Sequence, residues 1–188
     1  MKKLLQMAPV FAFVLLLGTN LKAQDMDNIL YIDLEQGQVA IEMFKDKAPQ
    51  HVERIKTLAE QGFYDGIVFH RVIDGFMAQT GDPTGTGTGG SDMADLPAEF
   101  NDTNFGRGAV GMARTSDPNS ANSQFFICFD DCSFLNGQYT VWGQVIEGME
   151  HVDKITRGEP PRYPDAMIKV SVGSEAEAAQ TSKAASAE

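Results

Sequence analysis

Two short runs near the start of the chain alternate apolar and polar residues across a glycine-containing turn, and this pattern narrows the fold more than any other feature. Leu30, Ile32 and Leu34 alternate with Tyr31, Asp33 and Glu35; after Glu35-Gln36-Gly37-Gln38, Val39, Ile41 and Met43 alternate with Ala40 and Glu42. A period of two places side chains on opposite faces of an extended chain, so the runs are predicted to pair as antiparallel strands. Further short β-like runs follow at IVFHRVI (67–73), FMAQ (76–79), AVGMA (109–113), QFFICF (124–129), TVWGQVI (140–146) and MIKVSV (167–172), separated by glycine-rich loops. Only two segments carry helical spacing. Pro49 suits a first helical position, Val52, Ile55, Leu58 and Ala59 form one stripe, and Gly62 is placed to end it. Met149, Val152 and Ile155 share a face of a shorter helix that closes near Gly158. Eight short strands and two helices predict a mainly β fold, an eight-stranded antiparallel β-barrel capped by two α-helices, with a sandwich left open by propensity alone.

The barrel segment, residues 28–173, is flanked by two stretches of different character. Residues 1–23 begin with Lys2 and Lys3, continue with an apolar run from Met7 to Leu17 and end at Ala23. This is the layout of a cleavable signal peptide, although Leu21 is larger than the residue usually found two before the cut. The apolar run is about half of the roughly 20 residues a membrane-crossing helix needs, which disfavours an uncleaved anchor. No cysteine lies near the cut, which disfavours a lipid anchor. The expected destination is the periplasm, with full secretion as the alternative, and no stable membrane insertion after cleavage. Residues 174–188 are alanine, serine and glutamate with no large apolar side chain, and are expected to be a disordered tail.

Charge excludes one class of partner. With 15 basic and 26 acidic residues the formal net charge is -11, and loss of Lys2, Lys3 and Lys22 with the leader takes it to -14. Phosphate backbones are held by an excess of lysine and arginine, so no nucleic-acid partner is expected. Two cysteines and three histidines make no zinc motif. Cys128 and Cys132 either form a bridge across a sharp bend or stay as separate thiols; both readings stand at the level of sequence. The glycine-rich run at 85–90 lacks the lysine of a phosphate-binding loop and is expected to be a flexible surface loop. His51 and His151 are expected on solvated helix faces, His70 as a hydrogen-bonded structural residue, and Phe125 and Trp142 in the core.

FHRVIDGFMAQTGD (69–82), GMARTSDPNSANSQFFICF (111–129) and SFLNGQYTVWGQV (133–145) stand out, together with GFYDGIVFHR (62–71) and GTGG (87–90). In this order and spacing they resemble the cyclophilin family of peptidyl-prolyl cis-trans isomerases, over nearly the whole segment from Ile29 to Val172, and among them the bacterial exported kind. The resemblance implies rotation of X–Pro bonds in peptides and unfolded proteins, no cofactor, no metal, and a chain acting as a monomer that assists folding. It implies a pocket for the proline ring made by Phe76, Met77, Phe126, Phe134 and Leu135, with Arg71, Gln79 and Gln124 as polar members and Tyr139 beside them. It makes Arg71, Gln79 and Phe76 the catalytic set. His70 is implied in a supporting role, the backbone at Arg114 as a binder of the residue before or at the proline, and Gly87, Ala113 and Gln124 as the lining of a neighbouring groove. A strand at 76–79 would send Phe76 away from Met77 and Gln79, so their convergence is implied by the resemblance alone.

The chemistry asked of these residues is modest. Rotation about an X–Pro bond crosses a barrier of about 18–20 kcal/mol set by amide resonance. In the twisted state the prolyl nitrogen gains a lone pair that a fixed guanidinium can hydrogen-bond, so the arginine binds the transition state better than the ground state. The best-known family members carry tryptophan where this chain has Phe134, histidine at Tyr139 and asparagine at Arg114, and the 114–123 loop is one residue longer here. Loss of the indole N–H implies weak cyclosporin binding without loss of isomerase activity. Asp74 replaces a usual proline and should alter only the turn. Two rival functions remain at this level: a proline-peptide binding module without turnover, and a general holdase chaperone.

Overall fold

The computed structural model describes residues 27–173, so the expected leader and tail lie outside the described residues. The eight strands are β1 (Ile29–Leu34), β2 (Gly37–Met43), β3 (Arg71–Ile73), β4 (Met77–Thr80), β5 (Ala109–Met112), β6 (Phe125–Cys128), β7 (Val141–Glu147) and β8 (Lys169–Val172). They form one antiparallel sheet in the order β3-β4-β6-β5-β7-β2-β1-β8. The expected mainly β architecture is therefore observed, and the sandwich is not. The sheet curls into a half-barrel whose two edges are drawn together by irregular bonds rather than a ladder. Gly66 donates to Met167, Phe69 to Asp165 and Met167 to Ile67, all through backbone groups just before β3 and β8. Strand β3 is accordingly much shorter than the 67–73 run, because the backbone of 66–69 is committed to this seam.

Alternation along each strand divides the sheet into two apolar faces. Val72, Ala78, Val110, Met112, Phe125, Ile127 and Trp142 point inward and join the main core with the hairpin residues Leu30, Ile32 and Ile41. Met77, Ala109, Phe126, Cys128 and Val141 belong to a second, smaller cluster with Phe105 and Cys132. Phe125 and Trp142 are fully buried, as expected.

Helix α1 (Pro49–Glu60) packs Val52, Ile55, Leu58 and Ala59 into the main core. Its first-turn N–H groups have no local cap. Glu99, 49 residues away, accepts from the backbone N–H of Gln50 and His51 at 3.1 Å. His51 is not on a solvated face: it is 1% exposed, with Nδ1 2.6 Å from Glu99 Oε2. Burial pushes its pKa below the ordinary imidazole value, against the pull of Glu99. The expected second helix is shorter than predicted, α2 (Met149–Val152), and a 3-10 turn at Ser133–Leu135 was not foreseen.

Candidate active site

The site begins as a row of cross-strand neighbours. Arg71 on β3 pairs with Gln79 on β4, Gln79 with Phe126 on β6, and Phe126 with Gly111 on β5. Directly paired residues lie on one face of a sheet, so register alone brings a guanidinium, an amide, an aromatic ring and a bare backbone into line on the outer face. Gly111 is required there: a Cβ would stand 2.5 Å from ring carbons of both Phe105 and Phe126. Without it, Phe126 lies nearly parallel to Phe105, 19° between planes and 5.6 Å between centroids.

Phe76 reaches the same face because it is not in a strand. Its N–H closes a turn onto Ile73 O, and β4 starts one residue later, so alternation does not govern it. A cavity of about 140 Å³ results, lined by Arg71, Phe76, Met77, Gln79, Ala113, Arg114, Phe126, Leu135 and Tyr139. Tyr139 stands edge-on to Phe126 at 5.9 Å, and the Arg114 guanidinium lies over the Tyr139 ring at 4.4 Å while its Nε and Nη2 donate to Gln138 O. The Arg114 side chain is thus tied to the far wall.

A second groove of about 530 Å³ adjoins the first, sharing Gln79, Ala113 and Arg114 and adding Gly87, Gly89, Ser91, Asp95 and Gln124. One polar chain links the two. Arg71 Nη1 donates to Gln79 Oε1 at 3.5 Å, Gln79 Nε2 to Gln124 Oε1 at 2.9 Å, and Gln124 Nε2 to the carbonyls of Gly87 and Gly89 at 3.1 and 2.8 Å.

The glycine-rich run is not the loosely held loop expected from composition. The buried Asp82 carboxylate accepts the N–H groups of Thr84, Thr86, Gly87 and Gly89 and the Thr84 hydroxyl. Burial alone would raise its pKa; the Thr84 hydroxyl and the N–H groups of Thr84, Gly89 and Gly87 outweigh that and hold it at about 2. Arg54 on α1 donates to Ala94 O and Asn122 O, fastening the outer wall of the groove to the helix.

Most of the expected site residues converge, and two do not. Phe134 is 61% exposed and packs on Phe76 with centroids 5.3 Å apart, at the rim rather than in the cavity wall. His70 lies behind the groove, buried against Gly87, and neither ring nitrogen has a hydrogen-bond partner among the described residues, contrary to expectation. Burial pushes its pKa down, with Asp82 opposing. Cys128 and Cys132 are unbridged, buried beneath the cavity floor, with Cys132 Sγ 3.4 Å from Phe76 O. The adjacent Cys132 and burial push the Cys128 thiol up. Three contributors escaped the sequence reading: Phe105, Asp82 and Glu159, which accepts from Arg71 Nε at 2.9 Å. Only Asp82 carried a local signal, since Asp-Pro-Thr-Gly is turn-forming chemistry.

A ring-sized cavity with one apolar wall and a guanidinium beside it thus lies on the outside of the half-barrel, and comparison places the chain in one family. The family model described as cyclophilin type peptidyl-prolyl cis-trans isomerase/CLD matches residues 29–172, so the chain belongs to that family. It is 51% identical over 166 residues to a probable peptidyl-prolyl cis-trans isomerase of Brucella suis, covering 80% of this chain and 85% of that one. A Helicobacter pylori peptidyl-prolyl cis-trans isomerase is 40% identical over 144 residues, covering 74% and 88%. Among solved structures, cyclophilin AquaCyp293 from Hirschia baltica superposes with a TM-score of 0.75 at 30% identity, covering 80% of this chain and 76% of that one. A cyclophilin-type isomerase from Cryptosporidium parvum, crystallised in the presence of the dipeptide Ala-Pro, gives 0.72 at 28%, covering 77% and 98%. The chain is a peptidyl-prolyl cis-trans isomerase.

Proposed function

We propose that the chain rotates X–Pro bonds in peptides and unfolded exported proteins, and that Arg71 supplies the transition-state preference. The observation that carries this reading is the register that sets Arg71, Gln79 and Phe126 side by side along one wall of a proline-sized cavity. The ring of the substrate proline enters between Phe76, Met77, Phe126 and Leu135. Gln79, held by Gln124, orients the peptide from one side. The Arg114 backbone N–H and C=O make no hydrogen bond among the described residues and meet the peptide from the other. As the imide twists, its nitrogen becomes an acceptor, and the guanidinium donates to it. No proton moves and no covalent bond forms.

A charge-assisted hydrogen bond contributes about 1.5–3 kcal/mol, which corresponds to roughly 10- to 150-fold in rate. Arg71→Ala is therefore expected to lower kcat/KM by that factor in a protease-coupled assay on a short proline peptide, with thermal stability little changed. Retention of the full rate would overturn the role of Arg71. Cyclosporin titrated into the same assay is expected to inhibit weakly, since Phe134 at the rim offers no indole donor. The leader-like segment supports export to the periplasm, and the strongly negative net charge, which opposes self-association, supports a monomer. Cell fractionation and sedimentation of the mature protein test both points.

A further inference from the structure

The loop between α2 and β8 carries none of the motif residues, yet it delivers a carboxylate to the catalytic guanidinium. Glu159 lies 88 positions from Arg71, and its Oε2 accepts from Arg71 Nε at 2.9 Å. Both partners sit next to a reciprocal pair of backbone bonds. Val72 N–H donates to Gly158 O, and Gly158 N–H donates to Val72 O, each at 2.8 Å. Gly158 lets the loop fold back on itself at this point. Its φ is +150°, and a Cβ would stand 2.5 Å from Pro161 Cα. The loop is fixed on both sides of Glu159. Thr156 N–H donates to Asp165 Oδ2 at 2.7 Å, and Arg157 donates to Asp74 Oδ1 at 3.0 Å and to Ile155 O at 2.6 Å while its guanidinium covers the Phe129 ring at 4.0 Å. Asp74, where the family usually has proline, thus helps to hold the segment that presents Glu159.

Two contacts set the plane of the Arg71 guanidinium, and they are unequal. The Nη1 contact to Gln79 is 3.5 Å long, at the limit of a hydrogen bond, whereas the Nε contact to Glu159 is short and charge-assisted. Rotation about the Cδ–Nε bond and the side-chain torsions is therefore arrested mainly at Nε. Arg71 Nη2 has no protein partner among the described residues. Arg71 and Glu159 side chains are 42% and 53% exposed, so the pair adds little to folding stability, and its effect is to be sought in orientation.

We propose that Glu159 is a positioning residue for this isomerase: it holds Nε so that the terminal donors of Arg71 face the prolyl nitrogen. The proposal rests on the reading of Arg71 given above. A preorganised donor acts only in the transition state, so its loss lowers kcat and leaves KM in place. The test is exchange NMR on a short proline peptide, which separates kcat from KM, with thermal melting alongside. Glu159→Ala is expected to lower kcat about fivefold, with KM and the melting temperature unchanged. Glu159→Gln keeps an acceptor at the same place and is expected to recover most of the rate. In the Arg71→Ala background, Glu159→Ala is expected to add nothing, since both changes remove one unit. Unchanged or raised kcat in Glu159→Ala, or a full additive loss in the double variant, would overturn the proposal while Arg71→Ala remained impaired. A fully active Arg71→Ala would instead sink the underlying reading of Arg71.

Discussion

Phe125 and Phe126 are consecutive in β6, both nearly out of contact with water, and they belong to different parts of the molecule. Phe125 points inward, edge-on to Tyr64 at 5.6 Å and to Trp142 at 5.5 Å, enclosed on every side by the main core. Phe126 points outward onto Phe105, with Arg71 and Gln79 beyond it and an open cavity above. Burial does not distinguish them. What differs is whether the apolar cluster is closed by more chain or left open beside a polar row. The inner face stabilises the sheet, and the outer island forms the floor of an open cavity.

The largest expected contrast comes from truncating these two rings. Phe125→Ala should cost about 3–5 kcal/mol of stability, the usual loss for a buried aromatic in a closed core. Phe126→Ala should cost less, because its cavity can fill with solvent, and should instead raise KM sharply. Denaturant unfolding and peptide isomerisation on both variants would show this, and a larger stability loss for Phe126→Ala would erase the distinction between the faces.

Gly111→Ala probes the outer floor without removing anything. The added methyl group meets Phe105 and Phe126 at 2.5 Å, so one ring must move. Overpacking of this kind costs about 1–3 kcal/mol. Reduced kcat/KM with a native-like fold by circular dichroism is expected, and wild-type kinetics would show that the stack under the pocket is dispensable.

The smallest effect belongs to the groove loop. Asp82 falls from the ordinary carboxylate value of 3.8 to about 2 in the folded chain. A depressed carboxyl stabilises fully above its unfolded value and loses that contribution as pH falls through its folded value. Melting temperature of the wild type should therefore fall more steeply than that of Asp82→Asn between about pH 4 and pH 2. Parallel curves for the two proteins in that window would deny Asp82 its part in holding the loop.

Legibility followed the range of the interaction. Alternation in 30–34 and 39–43 announced the hairpin, Pro49 and Gly62 bounded the helix, and the family motifs named Arg71, Gln79 and Phe126 before any register was known. The burial of His51 is not legible locally, because its partner Glu99 is distant in sequence and a histidine in a first helical turn looks solvated without it. The motif alone puts Phe134 in the pocket, whereas the 3-10 turn leaves it on the rim. The glycine-rich run looked loose because composition does not show that one carboxylate collects four N–H groups.

By itself the sequence determined which residues would face opposite sides of each strand, since side-chain direction in an extended chain depends only on counting by twos. It could not determine which strands lie side by side, that Phe76 would escape its strand, or that Glu159 would arrive beside Arg71. Those were decided by cross-strand register and by the seam between 66–69 and 165–167, where bonds join residues about a hundred positions apart and no local pattern records the partner.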